Sequence, residues 1–116
     1  MNTQSKKAVY ATDHNWDELM AKGGLLVVDF GADWCGPCRR MEPIINELAS
    51  DLDGTATVAT FDVESNPVIT SRFNVRNLPT ILFFRDGELV HRRIGLTPKH
   101  LLAQDVSGLL ATTAVL

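Results

Sequence analysis

The chain contains two cysteines, Cys35 and Cys38, separated by two residues. A structural disulfide stabilises a protein mainly by closing a long loop in the unfolded chain, and a bridge between these two cysteines would close a very short one. The pair would therefore contribute little as a cross-link. The spacing instead favours thiol–disulfide chemistry, in which one thiolate attacks a disulfide and the second thiol resolves the product.

The position of the pair favours Cys35 as the attacking sulfur. Residues 25–30 form a short apolar run and a helical pattern follows the cysteines, so Cys35 lies where a buried strand ends and a helix begins. Free N–H groups and the positive end of the helix dipole stabilise a thiolate there, and they lower a thiol pKa from its ordinary value of about 8.5. Cys38 lies about one turn later, within reach of a mixed disulfide at Cys35. Gly36 and Pro37 hold the two sulfurs close together.

A C-x-x-C pair can also be one half of a zinc site. Structural zinc takes four ligands, which usually come from a second C-x-x-C or from a paired-histidine motif. No two of the three histidines, His14, His91 and His100, have the spacing that such a motif requires. We therefore predict no metal site.

Length and composition indicate one globular domain, which we assign to residues 1–116 with a core over residues 6–110. The chain has 116 residues, of which 45% are hydrophobic, and its net charge of −3 provides no basic surface for nucleic acid or anionic lipid. No apolar run approaches the roughly 20 residues that span a bilayer, and no apolar stretch after Lys6 and Lys7 resembles a secretory signal. We expect a cytoplasmic protein, with neither nucleic acid nor a membrane as a partner.

The pattern along the chain predicts strands and helices that alternate. Helices between the first strands imply parallel pairing, and Asp86-Gly87 predicts a tight hairpin that adds antiparallel strands. We therefore expect an α/β fold, a mixed sheet with helices on both faces. Strands are predicted over residues 8–11, 25–30, 55–63, 80–84 and 88–93. The predicted helices are one capped by Thr12 or Asp13 and ended by Gly23-Gly24, one after the cysteines kinked by Pro43, one opened by Asn66-Pro67, and one opened by Thr97-Pro98.

Residues 34–38, Trp-Cys-Gly-Pro-Cys, match the active-site motif of the thioredoxin family, and the chain resembles this family over nearly its whole length. Glutaredoxins and disulfide isomerases typically carry other residues between the cysteines. The resemblance implies the thioredoxin fold and the activity of a protein-disulfide reductase and dithiol–disulfide electron carrier. It is supported further by Val27-Val28-Asp29-Phe30, Pro43, Asn77-Leu78-Pro79-Thr80, Gly87 and Gly95.

The resemblance also gives Asp29 a role. A carboxylate in an apolar strand either reaches water at the strand end or is buried in its neutral form, and the residues alone leave both readings open. The resemblance implies a buried acid beneath Cys38. Its pKa would be raised by burial, and it would take the proton of Cys38, directly or through water, as that thiol attacks.

The predicted substrate-binding surface surrounds the cysteine pair. By its sequence context Pro79 is a turn proline, whereas the resemblance implies a cis bond to Leu78 and a neighbouring backbone that pairs with an extended substrate segment. Trp34 fits either a core aromatic or a partly exposed indole, and its position beside Cys35 favours the exposed indole. The predicted substrate-binding residues are Trp34, Gly36, Pro37, Leu78, Pro79 and Gly95.

The chain departs from the family pattern at two positions. Gly31 stands where thioredoxins often have an aromatic residue, which predicts a looser floor of the site. Thr60 stands where many have a lysine that pairs with the buried acid, and without that cation the pKa of Asp29 is expected to be higher still. We therefore expect the rate and the redox poise to differ from those of a typical thioredoxin.

The resemblance implies two kinds of partner for a monomeric protein. One is a thioredoxin reductase-like electron donor, a flavoprotein fed by NADPH, and the other is a set of disulfide-containing substrate proteins. The flavin and the nicotinamide would belong to the reductase, so we expect no bound cofactor beyond the redox-active Cys35–Cys38 disulfide. Two alternatives remain open. They are a binding or scaffold subunit, and an oxidant or isomerase of an exported compartment.

Overall fold

The apolar run predicted as a strand forms the centre of a five-stranded sheet. The computed structural model describes residues 8–113; the N-terminal segment with Lys6 and Lys7 lies outside them. Among the described residues, no helix is long and apolar enough to cross a membrane. The strands are β1 (Val9–Ala11), β2 (Leu25–Gly31), β3 (Thr57–Asp62), β4 (Thr80–Arg85) and β5 (Glu88–Ile94), and the helices are α1 (Trp16–Ala21), α2 (Gly36–Asp51), α3 (Pro67–Arg72) and α4 (Lys99–Thr113).

The sheet is mixed, with the strand order β1-β3-β2-β4-β5. Strand β3 pairs with β1 and with β2 in parallel, while β4 pairs antiparallel with both β2 and β5. Strand β2 is therefore covered by neighbours on both edges, and its residues Leu25 to Phe30 are all buried. This arrangement confirms the predicted α/β fold with a mixed sheet.

Each face of the sheet carries its own apolar core. Because successive side chains of a strand point to opposite faces, Leu26, Val28 and Phe30 belong to the core that includes Trp16 of α1 and Ile69 of α3. Leu25 and Val27 belong to the opposite core. Asp29 lies two residues after Val27, so its side chain points to the same face of the sheet, which α2 and α4 cover. The helix residues of this second core are Met41, Ile45, Leu48 and Ala49 of α2 and Leu102 and Val106 of α4.

The predicted hairpin forms at Asp86 and Gly87. Both residues have positive φ, 50° and 85°, as a two-residue hairpin turn requires. The Asp86 carboxylate also accepts a hydrogen bond from the Gly24 N–H (2.8 Å), and the Asp86 N–H donates to the Gly24 carbonyl (2.9 Å). The turn is thus fixed to the chain segment that leads into β2.

Helix boundaries differ from the predicted ones at two places. The N-cap of α1 is Asn15 rather than Thr12 or Asp13. Helix α4 begins at Lys99, two residues after Thr97, whose N–H donates to the Met41 sulfur (3.4 Å). Asn66 and Pro67 open α3 as predicted, and Pro43 lies inside α2.

Asp13 does not cap α1 because its carboxylate accepts hydrogen bonds from the N-terminus of α3. The Val68 and Ile69 N–H groups donate to its two oxygens (2.9 and 2.8 Å), and its own N–H donates to the Asn66 side chain (2.9 Å). A carboxylate at a helix N-terminus satisfies N–H groups that have no partner within the helix. Asp13 therefore joins the loop after β1 to α3 across 55 residues of sequence.

We predict that Asp13→Ala lowers the free energy of unfolding by about 1 to 2 kcal/mol, because two N–H groups of α3 lose their acceptor. Urea denaturation at neutral pH measures the loss. The matched control is Asp17→Ala, which removes an exposed carboxylate from α1 and is expected to change the unfolding free energy by less than about 0.5 kcal/mol. Equal effects of the two substitutions would contradict a capping role for Asp13.

Candidate active site

The two cysteines form a disulfide at the N-terminus of α2. Strand β2 ends at Gly31, the Cys35 N–H donates to the Ala32 carbonyl (3.1 Å), and Cys35 in extended conformation is the N-cap of the helix. Pro37 stands in the first turn, where its missing N–H has no helical partner to lose. Both sulfur-bearing residues are largely buried, with 5% of Cys35 and 8% of Cys38 exposed.

This geometry favours negative charge on the Cys35 sulfur. The Cys38 N–H, which has no acceptor within the helix, donates to Cys35 Sγ (3.2 Å). The 16 residues of α2 align their peptide dipoles with the positive end at Cys35. A thiolate formed at Cys35 after reduction is therefore stabilised by groups that are already in place.

The disulfide lies between two clefts. The first, which we call the Trp34 groove, has a volume of about 550 Å³ and contains Cys35 but not Cys38. The second, which we call the Asp29 cleft, has a volume of about 450 Å³ and contains Cys38 but not Cys35. The Trp34 groove is lined by Trp34, Cys35, Gly36, Pro37, Val63, Val75, Arg76, Asn77 and Leu78.

Trp34 is an exposed residue of the Trp34 groove, with 68% of its surface accessible. Its indole N–H donates to Glu64 Oε2 (3.0 Å), which fixes the ring beside Cys35. Gly36 and Pro37 are also exposed on this side. The core-aromatic reading of Trp34 is therefore wrong, and Glu64 is a site residue that the sequence analysis did not identify.

The predicted residues around Pro79 divide into two groups. The Leu78–Pro79 peptide bond is cis, and Leu78 lines the Trp34 groove. Pro79 is buried, and its carbonyl accepts a hydrogen bond from the Gly95 N–H (2.7 Å), so neither Pro79 nor Gly95 lines the groove. In the part of the chain that the structure describes, the backbone N–H and carbonyl of Leu78 make no hydrogen bond. They are the groups left available to an extended peptide.

Asp29 is buried, with 6% of its surface exposed, so the reading in which it reaches water at the strand end is wrong. Its Oδ1 atom has no hydrogen-bond partner among the described residues. Burial first, and the negative charge of Glu42 second, raise the pKa of this carboxyl from its ordinary value near 3.8 to about 7. A group with this pKa exchanges protons readily at neutral pH.

The Asp29 cleft brings Asp29 and Cys38 to one cavity. Asp29 and Thr60 are direct partners in the β2–β3 ladder, and no cation stands at position 60. At Gly31, an added Cβ would lie 3.1 Å from Cys38 Cβ and 3.2 Å from its sulfur, so a side chain there would crowd Cys38. Gly31 and Thr60, the two positions that depart from the family pattern, both line this cleft.

Glu42 was not identified from the sequence, although a signal exists. It follows Cys38 by four residues, and residues at this spacing share one face of a helix. Knowing that Cys38 faces Asp29 would have placed Glu42 there as well. Within residues 8–113, no group of three or more His, Cys, Asp or Glu side chains is arranged to hold a metal ion.

Known proteins resemble this chain both in sequence and in structure. The family model described as Thioredoxin matches residues 7–108. A thioredoxin of Staphylococcus haemolyticus is 44% identical over 96 residues, which cover 83% of this chain and 91% of that protein, and one of Staphylococcus saprophyticus is 43% identical over the same shares. The structure of a mutant thioredoxin from Halobacterium salinarum superposes with a TM-score of 0.82 at 32% identity, covering 93% of this chain and 95% of the other.

The raised pKa of Asp29 predicts a pH-dependent stability. Because the folded pKa is about 7 and the unfolded one about 3.8, the native state holds the proton more tightly, and this stabilisation is complete below pH 3.8 and lost as the pH rises through 7. We predict that the stability of the protein relative to Asp29→Ala falls by about 4 kcal/mol across this window, since one pKa unit is worth about 1.4 kcal/mol. At pH 8 the variant is expected to be the more stable protein.

Denaturant unfolding of both proteins from pH 3 to 9 measures this difference. The other titratable or charged side chains on the cleft are Tyr10, Asp33, Arg39, Glu42 and Asp62. Asp33→Ala, which removes an exposed carboxylate of the same cleft, is the control and is expected to run parallel to the wild type. Parallel curves for Asp29→Ala and the wild type would show that Asp29 is charged and solvated in the native state.

Proposed function

The chain belongs to the thioredoxin family, a family of thiol–disulfide oxidoreductases, and we propose that it acts as a protein-disulfide reductase in which Cys35 attacks and Cys38 resolves. The observation that carries this assignment is the position of the disulfide between two clefts. Cys35 opens on the groove formed by Trp34 and Leu78, which is large enough for a peptide segment. Cys38 opens on the cleft that holds the carboxyl group with the raised pKa.

In the first step, the Cys35 thiolate attacks one sulfur of a substrate disulfide. A bond forms between Cys35 and that sulfur, and the other substrate sulfur leaves as a thiolate. The Cys38 N–H and the N-terminus of α2 hold the Cys35 sulfur in its charged form before the attack. The attack therefore needs no separate base.

In the second step, Cys38 resolves the mixed disulfide. Asp29 takes the proton of the Cys38 thiol, directly or through water, and the resulting thiolate attacks the Cys35 sulfur. The Cys35–Cys38 disulfide forms, and the substrate sulfur leaves as a thiolate, so two electrons pass from the dithiol to the substrate. Asp29 suits this role because a carboxyl with a pKa of about 7 is partly ionised at neutral pH.

Substrate binding by strand addition fits the free backbone of Leu78. An extended segment lying in the Trp34 groove would donate to and accept from the Leu78 peptide groups, and its disulfide would then reach Cys35. Trp34, Gly36 and Pro37 would contact the segment, while Pro79 and Gly95 would support Leu78 through their mutual hydrogen bond. Of the six predicted substrate-binding residues, this proposal therefore keeps four in contact with substrate and gives Pro79 and Gly95 a supporting role.

The cycle requires an electron donor that returns the disulfide to the dithiol. We infer a thioredoxin reductase-like flavoprotein fed by NADPH as this donor and disulfide-containing proteins as the substrates, with no cofactor bound to this chain itself. The same inference assigns a monomeric, single-domain protein of residues 1–116 that works in the cytoplasm. The similarity to proteins named thioredoxin supports the inferred exchange of electrons with such partners.

A scaffold subunit and an exported oxidant or isomerase are the alternatives to a reductase. An insulin reduction assay with a chemical dithiol separates the reductase from the scaffold subunit, which would leave insulin intact. The reduction potential separates the reductase from the oxidant. A reducing thioredoxin has a potential of about −270 mV, whereas a strong oxidant has one of about −120 mV.

The role of each cysteine is tested by trapping. We predict that Cys38→Ser accumulates mixed disulfides with oxidised substrate proteins at least about tenfold above wild type, because the resolving thiol is absent. Cys35→Ser is expected to accumulate none, and the double Cys35→Ser, Cys38→Ser variant is the control for adventitious capture. Non-reducing gel electrophoresis after quenching with acid measures the adducts. Accumulation with Cys35→Ser instead would show that the roles are reversed.

A further inference from the structure

The Asp29 cleft contains a buried acceptor that the protein itself leaves without a partner. Asp29 is 6% exposed, and its Oδ1 makes no hydrogen bond within residues 8–113. A buried polar atom without a partner is costly, and native proteins usually satisfy such atoms. Oδ1 itself has almost no accessible surface, but Asp29 lines the cleft, so a donor entering from solvent can reach the other oxygen of its carboxyl group.

The cleft lacks a cation at the position next to this acceptor. Tyr10, Thr60 and Asp29 are successive partners across β1, β3 and β2, so they form one row of the sheet on the face toward α2. Thr60 is short and uncharged, and Gly31, where a side chain would crowd Cys38, adds none to the cleft. The result is an open cleft of about 450 Å³, within the range of about 300 to 1,000 Å³ typical of small-molecule sites.

The negative charge of the cleft favours a cationic ligand. Four carboxylates line it, from Asp29, Asp33, Glu42 and Asp62, against one basic side chain among the described residues, Arg39. The Arg39 guanidinium donates to the Asp33 carbonyl (3.5 Å), and no hydrogen bond or ion pair joins it to Asp29. The Asp62 carboxylate already accepts from the Glu64 N–H and the Ser65 hydroxyl. Asp29, Asp33 and Glu42 therefore remain for a cationic donor, and Glu42 is the one whose charge acts on Asp29.

We propose that the Asp29 cleft is a binding site for small primary alkylammonium compounds. The ammonium group would donate to Asp29 Oδ2 and to Glu42, and the alkyl chain would lie over Gly31 and Thr60. An ammonium has three donors on a compact head, which suits two carboxylates in a narrow space. The ligand would thus occupy the place that a lysine side chain at position 60 fills in many thioredoxins.

Binding would also act on the second step of the cycle, a consequence that rests on the proposed role of Asp29. A cation beside the carboxyl favours its charged form and lowers the Asp29 pKa. An ionised Asp29 is ready to take the Cys38 proton. An amine bound in the cleft would therefore favour removal of the Cys38 proton in the resolving step, and it would do so without occupying the Trp34 groove.

The probe is n-butylammonium chloride, titrated into the oxidised full-length protein at pH 8 and constant ionic strength. Amide chemical shifts are followed by NMR. We expect saturable shifts at Gly31, Cys38 and Thr60 with a dissociation constant of about 1 to 10 mM, the range open to a ligand of this size. The neutral analogue n-butanol is the matched ligand control and is expected to bind at least tenfold more weakly.

Two variants of position 60 test the site. Thr60→Lys places a tethered ammonium in the cleft and is expected to weaken n-butylammonium binding at least tenfold, whereas Thr60→Val keeps the shape and is expected to bind as the wild type does. Asp29→Asn removes the charge and is also expected to abolish binding. Because the disulfide stays oxidised throughout, the result does not depend on which cysteine attacks substrate.

Several results would overturn the proposal. They are shifts that never saturate or that spread over the whole acidic surface, equal binding of n-butanol, and undiminished binding by Thr60→Lys. A Thr60→Lys spectrum that keeps the dispersion of the wild type shows that a loss of binding comes from the filled cleft rather than from unfolding. Failure of the Cys38→Ser trapping experiment would leave this binding result intact, so the two proposals are judged separately.

Discussion

The site depends on the burial of β2 from both edges and both faces of the sheet. Since β3 and β4 pair with its edges and helices cover its faces, the strand cannot shift, and the point where it ends at Gly31 is fixed. The chain then turns within a few residues into α2, whose N-cap is Cys35. The same strand carries Asp29 two residues before its end. One rigid element thus positions both the helix N-terminus that stabilises a thiolate and the acid that stands behind it.

The disulfide separates two environments with different physical character. The Trp34 groove offers an exposed indole and unpaired backbone groups, which suit a peptide segment. The Asp29 cleft offers carboxylates and an unpartnered buried oxygen, which suit proton transfer or a cation. Because each sulfur faces a different environment, the geometry supports the proposed roles of Cys35 in attack and Cys38 in resolution, although the two cysteines are only three positions apart.

Sequence patterns predicted the elements well wherever the signal is local. The apolar run of β2, the helical pattern after the cysteines and the Asp86-Gly87 turn each depend on residues within a few positions of one another, and each formed as expected. The prediction that Thr12 or Asp13 caps α1 was wrong for a physical reason. A capping carboxylate accepts from any helix N-terminus within reach, and the fold brings α3, not α1, to Asp13.

The sequence by itself determined the cysteine pair and its place at a strand–helix junction, because those depend on spacing along the chain, and its motifs carried the resemblance to the family. Only the tertiary structure decided what surrounds the pair. Glu64 reaches the Trp34 indole across 30 residues, and Thr60 lies beside Asp29 through the register of β2 and β3. Burial of Asp29, and so its raised pKa, likewise follows from the packing of α2 on the sheet, which brings Glu42 and Cys38 over it. A sequence pattern records neighbours along the chain, whereas electrostatics and hydrogen bonding depend on neighbours in space.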